Sequence, residues 1–280
     1  MRTRAPWSKR NVKELLSACG VRPSKALGQT FLVSRRYAEL IVSALDLVPG
    51  ETVYEIGAGL GALTLVAAEA GAEVVAAEID RRLCNVLARL AEAYSGIHVL
   101  ATDSLKLGIP RGVSKVLSNA PYSISTQLVL MLARSRAFKV AVITLQREFA
   151  DRLLARPGTK EYGRLTVIAN LALSLEKVLE IPRTAFYPTP SVDSVTLRIK
   201  PKHETSLHTL TLVEDFTRLI FPYKRKMLRK ALRYAGIDYS PYESSIGRRL
   251  SMRVYELSPK DCVELAELLL GAGPSRQCRQ

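Results

Sequence analysis

The sequence lacks several features that would place it in a specialised class of protein. Only four residues are cysteine, and Cys19, Cys84, Cys262 and Cys278 do not have the spacing of zinc ligands or the density of a disulfide scaffold. No stretch reaches about 18 uninterrupted apolar residues, so no membrane span is predicted. The basic N-terminus has no apolar run of the kind found in secretory signals. We therefore expect a cytoplasmic protein with reduced thiols, no bound metal and no membrane contact.

The overall composition is that of a globular chain. Hydrophobic residues make up 48% of the 280 residues and charged residues 24%, a balance that excludes global disorder and collagen-like repeats. A chain of this length has room for two domains of ordinary size.

Positive charge is in large excess and unevenly placed. Lys and Arg total 41 against 26 Asp and Glu, which gives a net charge of +15. Residues 1–36 contain nine basic residues and one acid, and residues 218–233 contain seven basic residues and no acid. Two basic runs on either side of a more neutral body favour a polyanionic partner, nucleic acid before membrane.

The middle of the chain alternates between strand and helix patterns. Apolar runs predict strands at 52–59, 73–80, 98–103, 115–121, 139–145, 175–181 and 192–200. Amphipathic patterns predict helices at 37–48, 61–71, 81–94, 123–135 and 146–156. This alternation indicates an α/β fold with a mostly parallel, doubly wound sheet, which the last two strands could extend as an antiparallel edge.

The pattern changes near residue 200. From there only helices are predicted, at 207–222, 223–236 and 254–271, the last beginning at Ser258-Pro259. We therefore divide the chain into a basic N-terminal segment (1–36), an α/β domain (37–200) and a small helical domain (201–280).

Ligands of open α/β sheets bind at the carboxyl ends of the strands, and three strand ends here suit a nucleoside. The first carries Gly57, Gly59 and Gly61, where a ligand can approach the backbone and the following helix N-terminus. The second ends at Glu78, which can accept from both hydroxyls of a ribose, and the third at Asp103, which can accept from an adenine amino group. The same pattern serves NAD and S-adenosylmethionine equally well, and a ligand-free tight turn is a third, weaker reading.

A fourth strand end distinguishes between these cofactors. The side-chain oxygen of Asn119 and the backbone carbonyl of Ala120 can each accept one N–H of an adenine amino group, which directs the nitrogen lone pair towards an incoming methyl group. Pro121 fixes the backbone without offering a competing donor, and Tyr122 can stack on an extruded base. Hydride transfer has no evident use for this tetrapeptide, so it favours S-adenosylmethionine and an adenine substrate.

With these motifs in order, the chain resembles the small-subunit rRNA adenine N6,N6-dimethyltransferases, the kasugamycin-resistance methyltransferases. Seven blocks over nearly the whole chain carry the resemblance: Lys25–Leu32, EIGAGLGALT, AAEID, ATDSLK, LSNAPYSIST, the stretch from Leu145 to Val167, and FYPTPSVDSVTLRI. The resemblance implies a class I methyltransferase fold with a helical C-terminal domain that binds rRNA.

It also implies a specific reaction. Two methyl groups would pass from S-adenosylmethionine to N6 of each of two adjacent adenosines near the 3′ end of small-subunit rRNA in a pre-ribosomal particle, with the enzyme acting as a monomer. The residues that would bind the cofactor are Thr30, Leu32, Gly57, Glu78, Asp103 and Asn119. Those that would act on the target base are Asn119, Pro121, Tyr122 and Phe186, with Phe186 facing Tyr122 across the base.

The sequence departs from the family pattern at a few positions. Thr30 stands where Asn or His is usual, Ala120 where Leu is common, and Ser191 where Lys is frequent. All residues that the chemistry requires are present, which argues against a relative retained only for ribosome assembly. A methyltransferase of the antibiotic-resistance type, acting on large-subunit rRNA, and a non-catalytic assembly factor are the alternatives.

Overall fold

The computed structural model describes residues 5–24, 28–119, 121–135 and 137–271. Two compact units make up the chain: residues 1–150 with 175–201, and residues 151–174 with 202–280. The sequence analysis assigned 151–174 to the α/β domain, whereas in the structure this segment groups with the C-terminal residues. No helix within the described ranges has the length and apolar character needed to cross a membrane.

The first unit is built on a seven-stranded sheet. Its strands are β2 (Thr52–Ile56), β3 (Glu73–Glu78), β4 (Ile97–Ala101), β5 (Lys115–Ser118), β6 (Val140–Gln146), β7 (Leu173–Ile181) and β9 (Ser194–Pro201). The order across the sheet is β4-β3-β2-β5-β6-β9-β7. Strands β2 to β6 pair in parallel and β9 pairs antiparallel with β6, which confirms the predicted sheet and its antiparallel addition.

The strand order creates a crevice in the middle of this sheet. From β2 the chain moves to β3 and β4 on one side, then returns to β5 on the other side of β2. Such a reversal of direction separates the loops that follow the two central strands and leaves room for a ligand between them. Gly57 follows β2 and Asn119 follows β5, so the two most informative motifs flank this crevice.

Helices cover the sheet of the first unit. They are α1 (Lys9–Ala18), α2 (Arg35–Ser43), α3 (Ala62–Glu69), α4 (Arg81–Ala91), α5 (Ser104–Leu107), α6 (Ser125–Arg134) and α7 (Arg147–Leu153). Residues from β2, β3, β5 and β6 and from α2, α3 and α4 share one apolar core. A second apolar cluster holds α1, which the sequence analysis did not predict, against Phe31, Leu60, Leu83 and Val86.

Helix α2 ends earlier than its hydrophobic pattern predicts. The pattern runs to Val48, but the helix stops at Ser43 and Asp46 adopts a left-handed conformation with φ of 51°. The carbonyls released at this end are bound by two cations, because Lys115 Nζ donates to Leu45 and Asp46 and Arg198 Nε donates to Ala44. Tertiary contacts therefore fix this helix end.

A short two-stranded ribbon lies outside the main sheet. Strands β1 (Phe31–Leu32) and β8 (Phe186–Tyr187) pair antiparallel, with Phe31 opposite Tyr187 and Leu32 opposite Phe186. The ribbon joins residues more than 150 positions apart in the chain. It connects the N-terminal segment to the FYPTPSVDS block.

The second unit is helical, as predicted for its C-terminal part. It contains α8 (Arg164–Ala172), α9 (Leu207–Ile220), α10 (Leu228–Tyr234), α11 (Glu243–Ile246) and α12 (Pro259–Leu270). Ser258 and Asp261 form a capping box at the start of α12, where the sequence predicted a helix start. Helix α8 and the short helical elements between 240 and 251 were not predicted, and the helix predicted from 254 begins at Pro259 after a separate helical turn at Val254–Glu256.

Residues 158–163 of this unit are held by hydrogen bonds. Tyr162 is buried and its hydroxyl donates to the carbonyl of Leu257, while Gly158 N–H donates to the carbonyl of Tyr255. These contacts hold the segment as a turn between α7 and α8.

Candidate active site

A single cavity gathers the predicted motifs of the first unit. Its volume is about 420 Å³, within the range of small-molecule sites. Its wall includes Thr30, Leu32, Gly57, Glu78, Asp103, Asn119 and Pro121. All six predicted cofactor residues therefore line one space, and this space continues to two of the predicted target-base residues.

The glycine turn after β2 forms the base of this cavity. Gly57, Gly59 and Gly61 have φ values of 70°, 59° and 78°. Residues with a side chain adopt this conformation only with strain. A Cβ on Gly61 would come within 2.4 Å of Leu90 Cδ1, so a larger residue here would also have to displace that side chain. The turn is tied to the next strand, because Gly57 N–H donates to the carbonyl of Ala77.

Glu78 is fixed in place by the backbone around it. Gly59 N–H donates to its Oε2 at 2.9 Å, and the N–H groups of Ile79 and Asp80 donate to its Oε1 at 2.9 and 3.0 Å. The residue is buried yet lines the cavity. A carboxylate offers about four acceptor positions, so the three described amides leave capacity on Oε2 for a ligand hydroxyl.

Asp103 presents a second carboxylate to the same cavity. As the N-cap of α5 it accepts from the N–H of Leu105 through Oδ1 at 3.0 Å. Its Oδ2 has a looser neighbour, Lys106 Nζ at 4.0 Å. One oxygen is thus engaged by the helix, and the other is available to accept from a ligand amino group.

Glu55 is a third acidic group in this wall, and the sequence analysis gave it no role. It is buried in β2, lines the cavity, and accepts a hydrogen bond from Thr64 Oγ1. Burial, and secondarily the charge of Glu78, raises the pKa of Glu55 to about 8, so the carboxyl is mostly protonated at neutral pH. An acid inside an otherwise apolar strand, directly before a glycine turn, was the signal that could have identified it.

The tetrapeptide after β5 borders the cavity on the opposite side from Glu78. Asn119 and Pro121 line it, and Ser118 anchors the strand end through a hydrogen bond from its Oγ to the carbonyl of Ile56. Tyr122 does not contribute to the described wall; its hydroxyl lies 2.8 Å from Ser194 Oγ. Ala120, whose carbonyl was predicted as an acceptor, lies outside the described residues.

Phe186, which was predicted to stack on the target base, has no exposed surface in the structure. Its ring is fully buried in the main core, where it packs with Leu32 and Ala185. The physical reason is the β1–β8 ribbon, which places Phe186 opposite the buried Leu32. In the structure this ring therefore offers no surface on which a base could stack.

The N-terminal segment closes another part of the cavity. Thr30 and Leu32 line it as predicted, while Lys25, Ala26 and Leu27 lie outside the described residues. Gly28 lies against Tyr122, because a Cβ there would be 3.3 Å from Tyr122 Cβ. The wall also contains residues that sequence reasoning missed, among them Arg22, Gln29, Ile79 and Leu105.

No cluster of His, Cys, Asp and Glu that could hold a metal was found among the described residues. What the cavity offers is a set of hydrogen-bond acceptors beside a glycine turn, at the switch point of a parallel sheet. This fold and cavity are those of a Rossmann-like enzyme with a nucleoside cofactor, and the motif that begins at Asn119 indicates the class I S-adenosylmethionine-dependent methyltransferases.

Comparison with known proteins identifies the family within that class. The sequence model of the ribosomal RNA adenine dimethylase family matches residues 21–269. A probable ribosomal RNA small subunit methyltransferase A of Methanopyrus kandleri is 36% identical over 264 residues, covering 94% of this chain and 92% of the relative. The corresponding Thermotoga maritima enzyme is 37% identical over 260 residues, covering 91% and 88%. The chain therefore belongs to the ribosomal RNA adenine dimethylase family.

Solved structures agree with this assignment. A dimethyladenosine transferase from Plasmodium falciparum is similar with a TM-score of 0.74 and 28% identity, covering 84% of this chain and 95% of that one. The 23S rRNA methyltransferase ErmE is similar with a TM-score of 0.63 and 26% identity, covering 85% and 99%. Both share the fold predicted from the sequence.

Proposed function

We propose that this protein dimethylates N6 of two adjacent adenosines near the 3′ end of small-subunit rRNA, using S-adenosylmethionine, during small-subunit biogenesis. The observation that carries the proposal is the continuous cavity from Glu78 and Asp103 to Asn119 and Pro121. A cofactor nucleoside and a target base both need hydrogen-bond acceptors such as these. Methyl transfer also requires that the cofactor and the base bind in one connected space.

The hydrogen-bond acceptors of the cavity fit this cofactor. The remaining acceptor capacity of Glu78 suits the ribose hydroxyls, and Oδ2 of Asp103 suits the adenine amino group. The glycine turn at Gly57, with Thr30 and Leu32 opposite, would hold the methionine part. When bound, S-adenosylmethionine supplies an electrophilic methyl group attached to a positively charged sulfur.

Asn119 would prepare the target nitrogen. Its side-chain oxygen can accept one N–H of the adenine amino group, and this interaction favours a pyramidal nitrogen whose lone pair points into the cavity. The cofactor would supply the methyl group and its sulfur would keep the bonding electron pair, while the surplus proton on N6 would leave to water. No general base is required, and the acceptor role of the Ala120 carbonyl stays part of this proposal.

Tyr122 would hold the base in position for this transfer. The hydrogen bond between its hydroxyl and Ser194 restrains the ring next to the tetrapeptide. Base–aromatic stacking contributes about 1–3 kcal/mol per base. Because Phe186 is buried, a second stacking surface from this residue would require its ring to leave the core.

The helical unit supplies a basic surface suited to rRNA. Arg225, Lys226, Lys230 and Arg233 are exposed, and none forms an ion pair with a described residue. Lys224 is different, because its Nζ donates to the carbonyls of Lys160 and Tyr162 and is committed to the fold. The exposed cations would contact phosphates of the substrate.

Small-subunit rRNA is favoured over large-subunit rRNA by the relatives. Those named for the small subunit are 36% and 37% identical to this chain, against 26% for ErmE, which acts on 23S rRNA. A pre-ribosomal particle as substrate implies a cytoplasmic enzyme, and we propose that it acts as a monomer.

The test is transfer of labelled methyl groups to undermethylated small subunits, followed by mapping of the modified base. Two methyl groups on each of two adjacent adenosines support the proposal. Preference for naked large-subunit rRNA would contradict the proposal and favour a methyltransferase of the antibiotic-resistance type. Full rescue of ribosome assembly in cells by Asn119→Ala would favour a binding-only assembly factor.

A further inference from the structure

The turn that follows β8 carries no charge of its own but receives two lysines from α1. Residues 184–192 contain no Lys, Arg, Asp or Glu. Lys13 Nζ lies 5.3 Å from the centroid of the Tyr187 ring, and Lys9 Nζ donates to Thr189 Oγ1 at 3.3 Å. These two positive charges come from a helix more than 160 residues earlier in the chain, and they add to the charge of Arg183, whose Nη1 donates to the carbonyl of Ser191.

Helix α1 is firmly placed to deliver these charges. Val12 and Leu16 are buried in the apolar cluster with Phe31 and Leu60, and Ser8 caps the helix by accepting from the N–H of Asn11. With its apolar face buried, the helix presents Lys9 and Lys13 as exposed neighbours one turn apart. The packing of α1 therefore fixes the backbone positions from which the side chains of Lys9 and Lys13 extend.

Neither lysine is neutralised by the described part of the protein. The only acid of α1 is Glu14, which pairs with Arg10. Two like charges at positions i and i+4 destabilise a helix. A purely structural role, anchoring α1 to the turn, would leave this repulsion uncompensated, whereas a phosphate group between or beside the ammonium groups would relieve it.

This basic pair stands next to the active-site cavity. Tyr187 pairs across the ribbon with Phe31, and Phe31 itself lines the cavity. The chain that leaves α1 returns to the same wall at Arg22 and Ser24. A strand whose adenosine enters the cavity would bring its neighbouring phosphates close to this rim.

We propose that Lys9 and Lys13, with the uncharged turn at Tyr187–Thr189, form a phosphate-contacting surface that holds the RNA strand beside the target adenosine. The inference rests on the proposed function and adds a positioning surface to it. Family membership alone does not predict it, because the family match begins at residue 21, after α1 ends.

The test compares Lys9→Gln/Lys13→Gln with a control that loses the same charge elsewhere. Lys139→Gln/Lys200→Gln is the matched control. Both lysines are exposed and lie near the amino end of β6, whereas the cavity lies at the carboxyl ends of the parallel strands. Binding of a small-subunit rRNA fragment that contains the two adjacent adenosines is measured over a range of salt concentrations, together with cofactor affinity and thermal stability.

Each phosphate contact to single-stranded RNA contributes about 0.7 to the slope of log affinity against log salt concentration. We expect the slope of the Lys9/Lys13 variant to fall by about 1.4, its KM for RNA to rise about tenfold, and its cofactor affinity to stay unchanged. Lys9→Arg/Lys13→Arg should restore the wild-type slope, which a loss of helix packing would not explain.

Equal slopes for the Lys9/Lys13 variant and the control, with wild-type protein that methylates RNA, would overturn this inference and leave the proposed function intact. Wild-type protein that neither binds nor methylates small-subunit rRNA would overturn both. A large fall in thermal stability without a change of slope would assign the two lysines to the fold alone.

Discussion

At the scale of single residues, three of the four acidic side chains in the cavity wall differ because their surroundings differ. Glu78 is surrounded by three N–H donors, Asp103 by one, and Glu55 by a single hydroxyl and apolar burial. Donors stabilise a carboxylate, whereas burial without donors favours the neutral acid. We therefore propose that Glu78 and Asp103 accept hydrogen bonds from the cofactor, whereas Glu55 is a protonated group in the same cavity wall.

The roles proposed for Glu78 in cofactor binding and for Asn119 in methyl transfer can be measured separately. Glu78→Gln should weaken cofactor binding about 10- to 100-fold, as expected for loss of a hydrogen bond to a charged group, and change bound-state transfer little. Asn119→Ala should do the reverse and lower kcat by about 100-fold, because its hydrogen bond matters most at the transition state. Calorimetry and single-turnover kinetics separate the two effects, and equal effects in both variants would contradict the assignment.

The buried acid also predicts a pH dependence of stability. The pKa of Glu55 is about 8 in the folded protein against 4.5 for the free group, so the folded state holds a proton that the unfolded state releases between these values. The free energy of unfolding should fall as pH rises through that window, by at most about 1.4 kcal/mol per pH unit from this group. Below the window the contribution is fully present, and above it the loss is complete.

Urea unfolding of wild type and Glu55→Gln across this window is the measurement. Glu55→Gln should remove the part of the pH dependence of the free energy of unfolding that comes from Glu55, while its amide oxygen still accepts from Thr64. Glu176→Gln, which removes an exposed carboxyl in the same unit, is the control and should retain the wild-type slope. A wild-type slope in Glu55→Gln would show that the carboxyl is ionised in the folded protein.

At the scale of helices and strands, the sequence predicted well those elements whose formation depends on residues close together in the chain. The strands of the sheet were predicted because each is a short apolar run bounded by turn residues, and α12 because Ser258 and Asp261 cap it. Elements that depend on distant contacts were missed. The β1–β8 ribbon has strands of two residues each, and the early end of α2 depends on Lys115 and Arg198.

The capping box of α12 provides a prediction about stability. Ser258→Ala removes the acceptor for the N–H of Asp261 and should lower the free energy of unfolding by about 1 kcal/mol. Ser34→Ala is a matched control, since Ser34 is the N-cap of α2 and makes no side-chain capping bond. Denaturant titration should show a shift for Ser258→Ala and almost none for Ser34→Ala; equal shifts would exclude the capping explanation.

At the scale of the whole molecule, the sequence predicted the type of site better than its boundaries. Gly57, Glu78, Asp103 and Asn119 line the cavity because parallel strands bring their carboxyl ends to one edge, a rule that needs no tertiary information. Thr30 and Leu32 also line it, but they come from the N-terminal segment and were predicted from the family resemblance. The burial of Phe186 was not predictable, because it depends on its pairing partner in a ribbon. The grouping of residues 151–174 with the C-terminal unit depends on packing that alternation alone does not reveal.

The net charge of +15 leads to a prediction for the full chain. Affinity for small-subunit rRNA should fall steeply as salt concentration rises, because each phosphate contact releases counterions. A protein with six or more such contacts loses about a thousandfold or more in affinity between about 50 and 200 mM salt. Filter binding at several salt concentrations measures this loss, and an affinity independent of salt would contradict an electrostatic interface.

The β1–β8 ribbon offers a route by which the two proposed substrates would affect each other. Leu32, in the cavity wall, is the cross-strand neighbour of Phe186, in the block proposed to meet the target base. A nucleotide that drew Phe186 out of the core would shift the wall proposed to hold the cofactor. In that case, thermodynamic linkage requires each substrate to change the affinity for the other by the same factor.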